Sequence, residues 1–424
     1  MSLIRKAVLV ILDGLGDRPC QVLGGATPLE AAKTPNLDRL AEAGLVGLMD
    51  PLFPGVAVGT HTGTALLLGL PVREVPLLAR GPVEAAGIGV PLRSGDIAIR
   101  CNFATLQDIE GALVVLDRRA GRISTGTGEL AALLQDVDLG NGIRASLYPA
   151  TQHRAVLRLS GANLSAAISD TDPDNSRGPV PVLVSQALVP EDELATLTAE
   201  AVNRFLQVAH IRLRDAEVNR IRRQQGLPPA DGIITRGAGK LEPLHSLVAR
   251  FGLKATVVAA EDTVVGLARL FGYHAVQHPE FTALPDTDLA AKVTAAKQAL
   301  ATHDLVFLHV KGADISAHDR RPDEKQALLE RFDREMGPLL DQGYVIAVTG
   351  DHSTNSNNGC HCGDPVPALL HDPEGRRDFC SQFSESGCLN GGLGRLTATG
   401  FLVTVLDAMG ALPQFKESDF SQFF

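Results

Sequence analysis

The chain has 424 residues, 45% hydrophobic and 21% charged, which is ample material for a large core. A formal net charge of -10, no tryptophan and 4% aromatic residues exclude a broad nucleic-acid surface or a base-stacking platform. The opening "MSLIRKAVLVILDG" lacks the long apolar core and cleavage site of a secretory signal, and no run approaches the ~18 apolar residues of a membrane span. A soluble, cytoplasmic protein with no membrane partner is expected, its 6 cysteines reduced.

In chain order, "AVLVILDG" reads as a buried strand that stops at Asp13. "TPLEAAKTPNLDRLAEAG" reads as helix, with Thr27 as its cap, Gly44 as its stop and Pro35 as a break between two pieces. "DPLFPGVAVGTHTGTALLLG" puts Thr60 in a glycine-flanked turn before an apolar helical pattern. From Arg80 to Glu193 the texture changes: "GDIAIRCNFATL", "GALVVLDRRAGRI" and "HRAVLRLSG" predict strands joined by glycine- and proline-rich turns, and "SDTDPDNSRGPVP" predicts a loop. "HDLVFLHVKGAD" is a second buried strand, ending at Lys311 and Asp314. "PDEKQALLERFDREMGPLLDQG" predicts a helix closing at Gly343, and "YVIAVTGDH" a third buried strand, leading to Asp351 and His352. Strands alternating with helices make an α/β core, residues 1–79 and 194–424, interrupted by an inserted α+β domain, residues 80–193.

In such sheets ligands gather at the carboxyl ends of the strands, where these runs turn polar. Asp13, Asp314, His318, Asp351, His352 and, in the following Gly- and Asn-rich loop, His361 supply three carboxylates and three imidazoles. Asp314 and His318 are four apart and share a helix face if a helix follows the strand. Mixed oxygen and nitrogen donors suit Mn²⁺ or Zn²⁺, and six donors suit two ions rather than one. Cys360, Cys362, Cys380 and Cys388 offer a rival structural zinc, but the Cys-x-Cys spacing is tighter than usual for such a site, and small buried hydrophobes are the simpler reading.

A two-ion site needs a nucleophile. Thr60, at a helix start whose amides favour phosphate, is the candidate; as an alkoxide it would attack phosphorus and carry the phosphoryl group. Its alternative role is that of a helix cap, and Thr62 competes for either.

"DGLGDRP", "GGATPLEAAKTPNLDRLAEAG", "RCNFATL", "DRRAGRI", "SDTDP", "GLPPADGIITRGAGK", "HVKGADISAHD", "GDHST" and "DPVP" occur in that order over nearly the whole chain. This ordered set resembles the archaeal-type cofactor-independent phosphoglycerate mutases of the alkaline phosphatase superfamily. The resemblance implies an alkaline-phosphatase-like core with a mostly parallel sheet flanked by helices, plus a smaller inserted domain. It implies two divalent metal ions, one held by Asp314, His318 and His361, the other by Asp13, Asp351, His352 and the nucleophile. It implies a small anionic phosphorylated substrate: phosphate passes from 3-phosphoglycerate to the enzyme hydroxyl and returns to the 2-hydroxyl, with no 2,3-bisphosphoglycerate. Anion grips are expected from Arg100 in "RCNFAT", from Arg118, Arg119 and Arg122 in "DRRAGR", and from Arg236 and Lys240 in "TRGAGK" of the core. Asp117 and His153 are further candidates, for proton handling, although His153 opens an apolar run as a structural histidine would.

The family usually carries "GSDT(A/S)H" at the nucleophile, where this chain has "GTHTGT". Serine becomes Thr60, the adjacent acid His61 and a downstream histidine Thr64. The alternative function is therefore a phosphatase, phosphodiesterase or other phosphoryl or phosphonyl transferase on the same scaffold.

Overall fold

A computed structural model describes residues 4–173, 179–242, 244–414 and 416. It divides the chain into two compact units, Met1–Pro76 with Pro243–Phe424, and Leu77–Glu242.

The first unit is built on an eight-stranded sheet. Its order is His274–Val276, Ala255–Val258, Leu305–Val310, Ala7–Leu12, Val345–Thr349, Val366–His371, Leu45–Asp50 and Gly394–Thr397. The first five strands run parallel, and Val366–His371 is antiparallel to both its neighbours. Every residue of Ala7–Leu12, Leu305–Val310 and Val345–Thr349 is buried, which is why these runs are apolar throughout rather than alternating. Ala7 stands in register with both Leu305 and Val345, so the three central strands end side by side and bring Asp13, Lys311 and Asp351 to one edge.

The expected broken helix is two helices, Pro28–Ala31 and Pro35–Glu42; the Thr27 side chain and Glu30 form a reciprocal capping box on the first. The later helix runs Pro322–Glu335 and stops short of the expected Gly343, because Gly337 and Pro338 turn the chain into a brief 3-10 segment.

The second unit holds a mostly antiparallel sheet centred on the long strand Ile97–Ile109, flanked by Arg154–Ser160 and Ala112–Asp117. Gly232–Lys240 also pairs with Ile97–Ile109, setting Arg100 opposite Arg236, and the 22-residue helix Glu193–Arg214 packs on it through Ala201, Val202 and Phe205. The expected boundary at 193 is thus too early, and Arg236 and Lys240 belong to this unit and not to the core. Within the "SDTDPDNSRGPVP" stretch, residues 174–178 lie outside the described residues, and Val180–Pro181 is a short strand.

Candidate active site

The strand Ala7–Leu12 delivers Asp13, fully buried, to the edge of the sheet. The strand Leu305–Val310 leads through Lys311 into the helix Gly312–His318, which carries Asp314 and His318 one turn apart. Val345–Thr349 leads to Asp351 and His352, after which a hairpin, Ser353–Asn355 with Cys360–Cys362, returns His361. Thr60 is the first residue of the helix Thr60–Leu67. Gly59 occupies the cap position and no side chain caps this helix, so Thr60 is not the cap. The helix lies close on the backbone that carries Asp351: a Cβ at Gly63 would meet the Asp351 carbonyl oxygen at 2.0 Å, so only glycine fits there.

These residues meet at one centre. Thr60 Oγ1 lies 3.3 Å from Asp13 Oδ1 and 3.3 Å from His352 Nε2. The Lys311 ammonium donates to Thr60 Oγ1 at 2.7 Å, to Asp314 Oδ2 at 2.6 Å and to Asp13 Oδ1 at 3.2 Å. His318 Nε2 stands 3.1 Å from His361 Nε2 and 3.4 Å from Asp314 Oδ2. Asp351 accepts from the Gly14 amide at 3.2 Å and from the Thr64 hydroxyl at 2.8 Å. Thr64, a departure from the family pattern, therefore orients a candidate ligand. Thr354 donates to Asp314 Oδ1 at 2.7 Å and faces His352 Nδ1 at 3.1 Å.

Donor atoms fall into two tight groups, Asp314 with His352 and His361, and Asp13 with Asp351 and His309, each within 4.8 Å. His352 is shared between the groups, since its Nε2 also lies 3.3 Å from Asp13 Oδ1. His309 and Lys311 were not among the candidates read from sequence. The available signal was a polar side chain inside the otherwise apolar "LVFLHV" run, and a cation at its end.

Electrostatics show what the site accommodates. Three buried carboxylates converge. Burial opposes their charge most strongly, but Lys311 together with the neighbouring histidines, His309 and His352 at Asp13 and His318, His361 and His352 at Asp314, outweighs it and holds both far below the usual range. Asp351 is pushed the other way, by burial and by the charge on Asp13. Burial also opposes charge on His352, yet Asp351 and Asp13 prevail and raise its pKa to about 9. One ammonium and one imidazolium do not balance three carboxylates. A buried donor set of this composition fits divalent cations.

The cysteines join neither group. Among the described residues none is disulfide-bonded: Cys20, Cys101 and Cys388 are buried, Cys362 and Cys380 half-buried, and Cys360 is exposed rather than buried as expected.

The second unit assembles an arginine cluster of its own. Arg118 grips Asp172 with two hydrogen bonds, at 2.7 and 2.6 Å, and Arg236 Nε approaches the same carboxylate at 3.4 Å. Arg100 lies 3.6 Å from Glu84; burial lowers its pKa to about 10, and Arg154, Arg80 and Arg236 press in the same direction. His153 stands beside Arg154, Arg119 and Arg100, and burial with those cations lowers its pKa to about 3. Asp117 spends both carboxylate oxygens on the turn amides of Arg119 and Gly121. Arg122 lies exposed in that turn and Lys240 exposed at the strand end. Arg80 and Arg154 were not read from sequence; neither falls in a distinctive motif.

Comparison with known proteins agrees with this architecture. Residues 5–410 match the family model of the Metalloenzyme superfamily. The chain is 41% identical to the 2,3-bisphosphoglycerate-independent phosphoglycerate mutase of Methanopyrus kandleri, covering 98% of this chain and 99% of that protein. It is 39% identical to the corresponding protein of Methanoculleus marisnigri, over 95% and 97%. Among solved structures, a protein from Pyrococcus horikoshii superposes with a TM-score of 0.82 at 32% identity, covering 98% of this chain and 100% of that one. The cofactor-independent phosphoglycerate mutase of Thermoplasma acidophilum superposes with a TM-score of 0.66 at 31% identity, over 96% and 100%. The chain therefore belongs to the 2,3-bisphosphoglycerate-independent phosphoglycerate mutase family of the Metalloenzyme superfamily.

Proposed function

We propose that this protein interconverts 3-phosphoglycerate and 2-phosphoglycerate through a phosphothreonine at Thr60, with two divalent ions, Mn²⁺ or Zn²⁺, and without 2,3-bisphosphoglycerate, as a cytoplasmic enzyme of glycolysis. The observation that carries this reading is the setting of Thr60: its hydroxyl oxygen lies 2.7 Å from the Lys311 ammonium and 3.3 Å from Asp13, at the start of a helix.

Asp314, His318 and His361 would hold one ion, and Asp13, Asp351 and His352 the other, with His352 near enough to both groups to serve either. When bound, the ions supply Lewis acidity and neutralise phosphoryl charge. The protein's own groups do the rest. Asp13 Oδ1 accepts a hydrogen bond from the Thr60 hydroxyl and orients it, and Lys311 stabilises the oxygen as charge develops. The bond from Thr60 Oγ1 to phosphorus forms as the bond to the substrate's 3-oxygen breaks, and the proton lost by Thr60 ends on that departing oxygen; in the return step the bond from the 2-oxygen to phosphorus forms as the Thr60 Oγ1–phosphorus bond breaks, and the 2-hydroxyl proton ends on Thr60. The first amides of the helix Thr60–Leu67 favour the phosphoryl oxygens. In the second unit, the cluster around Arg100, Arg118 and Arg236 has the chemistry to bind a phosphate or carboxylate.

Phosphorus NMR of metal-loaded protein with 3-phosphoglycerate tests the proposal. Formation of 2-phosphoglycerate without added bisphosphate is expected. Release of free phosphate alone would replace this reading with a phosphatase whose acceptor is water.

A further inference from the structure

His309, the first residue of "HVKGADISAHD", sits on a central strand of the sheet, fully buried, and is not one of the ligands that the family resemblance implies. Its Nε2 lies 3.0 Å from Asp13 Oδ2. Among the described residues its Nδ1 is buried with no hydrogen-bond partner. Its donor atom groups with those of Asp13 and Asp351, so by proximity alone it would be a metal ligand.

The second ring nitrogen argues otherwise. A histidine that binds a metal through one nitrogen carries its proton on the other, and that N–H is normally given to an acceptor. His318 follows this rule: Nδ1 faces the Gly359 carbonyl at 2.8 Å while Nε2 faces Asp314 and His361. His352 follows it too, with Nδ1 on the Thr354 hydroxyl and Nε2 toward Asp13 and Thr60. In His309 the same arrangement would bury an N–H with nothing to receive it, which proteins avoid more strictly than an idle lone pair. The tautomer that fits carries its proton on Nε2 and gives it to Asp13.

We propose that His309 is a positioning residue, not a metal ligand: as the neutral Nε2–H tautomer it holds Asp13 Oδ2, leaving Oδ1 as the oxygen that meets Thr60 and His352. The Lys292 ammonium, itself buried, fixes the His309 backbone by donating to its carbonyl at 3.2 Å. The orientation of Asp13 is thus set from beneath the sheet end. This rests on the two-ion reading of the site and is independent of the substrate.

The test is NMR of the protein labelled with ¹⁵N-histidine, stripped of metal and then loaded with ¹¹³Cd²⁺, with His309 assigned by comparison with His309→Gln. His318, His352 and His361 are expected to show nitrogen–cadmium coupling. His309 is expected to show none, and the Nε2–H pattern before and after loading. His309→Phe fills the ring's volume without the donor and should weaken cadmium binding about 10- to 100-fold, with His309→Gln, which keeps an N–H, recovering most of it. Coupling at His309, an Nδ1–H tautomer, or wild-type affinity in His309→Phe would each overturn the inference. Should His309→Phe fail to fold, the coupling pattern of the unmodified protein decides. Cadmium coupling at none of the histidines would overturn the two-ion reading, and this inference with it.

Discussion

Lys311 donates to Thr60 Oγ1 at 2.7 Å while also holding Asp314 Oδ2 at 2.6 Å, so one ammonium ties the candidate nucleophile to a candidate metal ligand. Burial works against its charge, but Asp13 and Asp314 outweigh that and keep it protonated. An invariably charged donor at the attacking oxygen stabilises charge that is larger in the transition state than in the ground state. Lys311→Met should therefore lower kcat about 10²- to 10³-fold, or about 3–4 kcal/mol, with a smaller change in KM. Lys311→Arg should not restore it, since a planar fork does not occupy the place of a compact ammonium. Steady-state kinetics on 3-phosphoglycerate measure both; an undiminished kcat in the methionine variant would take Lys311 out of the chemistry.

Thr60→Ala should yield no phosphoenzyme by intact mass while keeping near-normal metal content, because the carboxylates and imidazoles remain. Thr60→Ser should retain turnover, since it restores the residue type usual in the family. A phosphorylated Thr60→Ala protein would move the nucleophile elsewhere, with Thr62, on the same helix, as the first place to look.

The convergence of much of this candidate site was legible in the sequence because it follows from local pattern. Continuous apolar runs gave the three central strands, and their polar ends gave Asp13, Asp314, Asp351 and His352. The i, i+4 spacing of Asp314 and His318 required only that a helix follow the strand, and Gly312–His318 is that helix. What was not legible depends on pairing between distant segments. Gly232–Lys240 reads locally as one more core strand, and only its ladder to Ile97–Ile109 assigns it to the second unit. Arg80 and Arg154 converge on Arg100 from separate elements, a helix and a strand, and no local spacing records that. Lys311 was visible as a strand-end residue, but its reach to Thr60 spans 251 positions.

Metal should stabilise the folded protein as well as activate it. Asp13, Asp314 and Asp351 are all buried at one centre, and a cation that binds only the folded state relieves their mutual repulsion. Adding Mn²⁺ to chelator-stripped protein at about 1,000 times its Kd should add about 4 kcal/mol of stability, read as a rise in Tm by calorimetry. His361→Ala should shrink that rise and lower metal content. A Tm unmoved by metal would mean that the donor groups bind no ion in the folded state. Full occupancy in His361→Ala would remove His361 from the ligand set.

The pH dependence of stability should carry the mark of Glu385. This carboxylate accepts from the Thr27 hydroxyl at 2.7 Å and from the Asp17 amide at 3.1 Å, and burial raises its pKa from 4.5 to about 7. Between those values the folded protein retains a proton that the unfolded chain has released. The stabilisation linked to this group is therefore complete below about 4.5 and is lost as pH rises through about 7. Glu385→Gln is neutral at every pH and should flatten that part of the profile. Urea unfolding at pH 5 and pH 8 measures this: the stability lost between the two pH values should be smaller in Glu385→Gln than in wild type. Parallel profiles for wild type and Glu385→Gln would show that Glu385 ionises alike in the folded and unfolded chains.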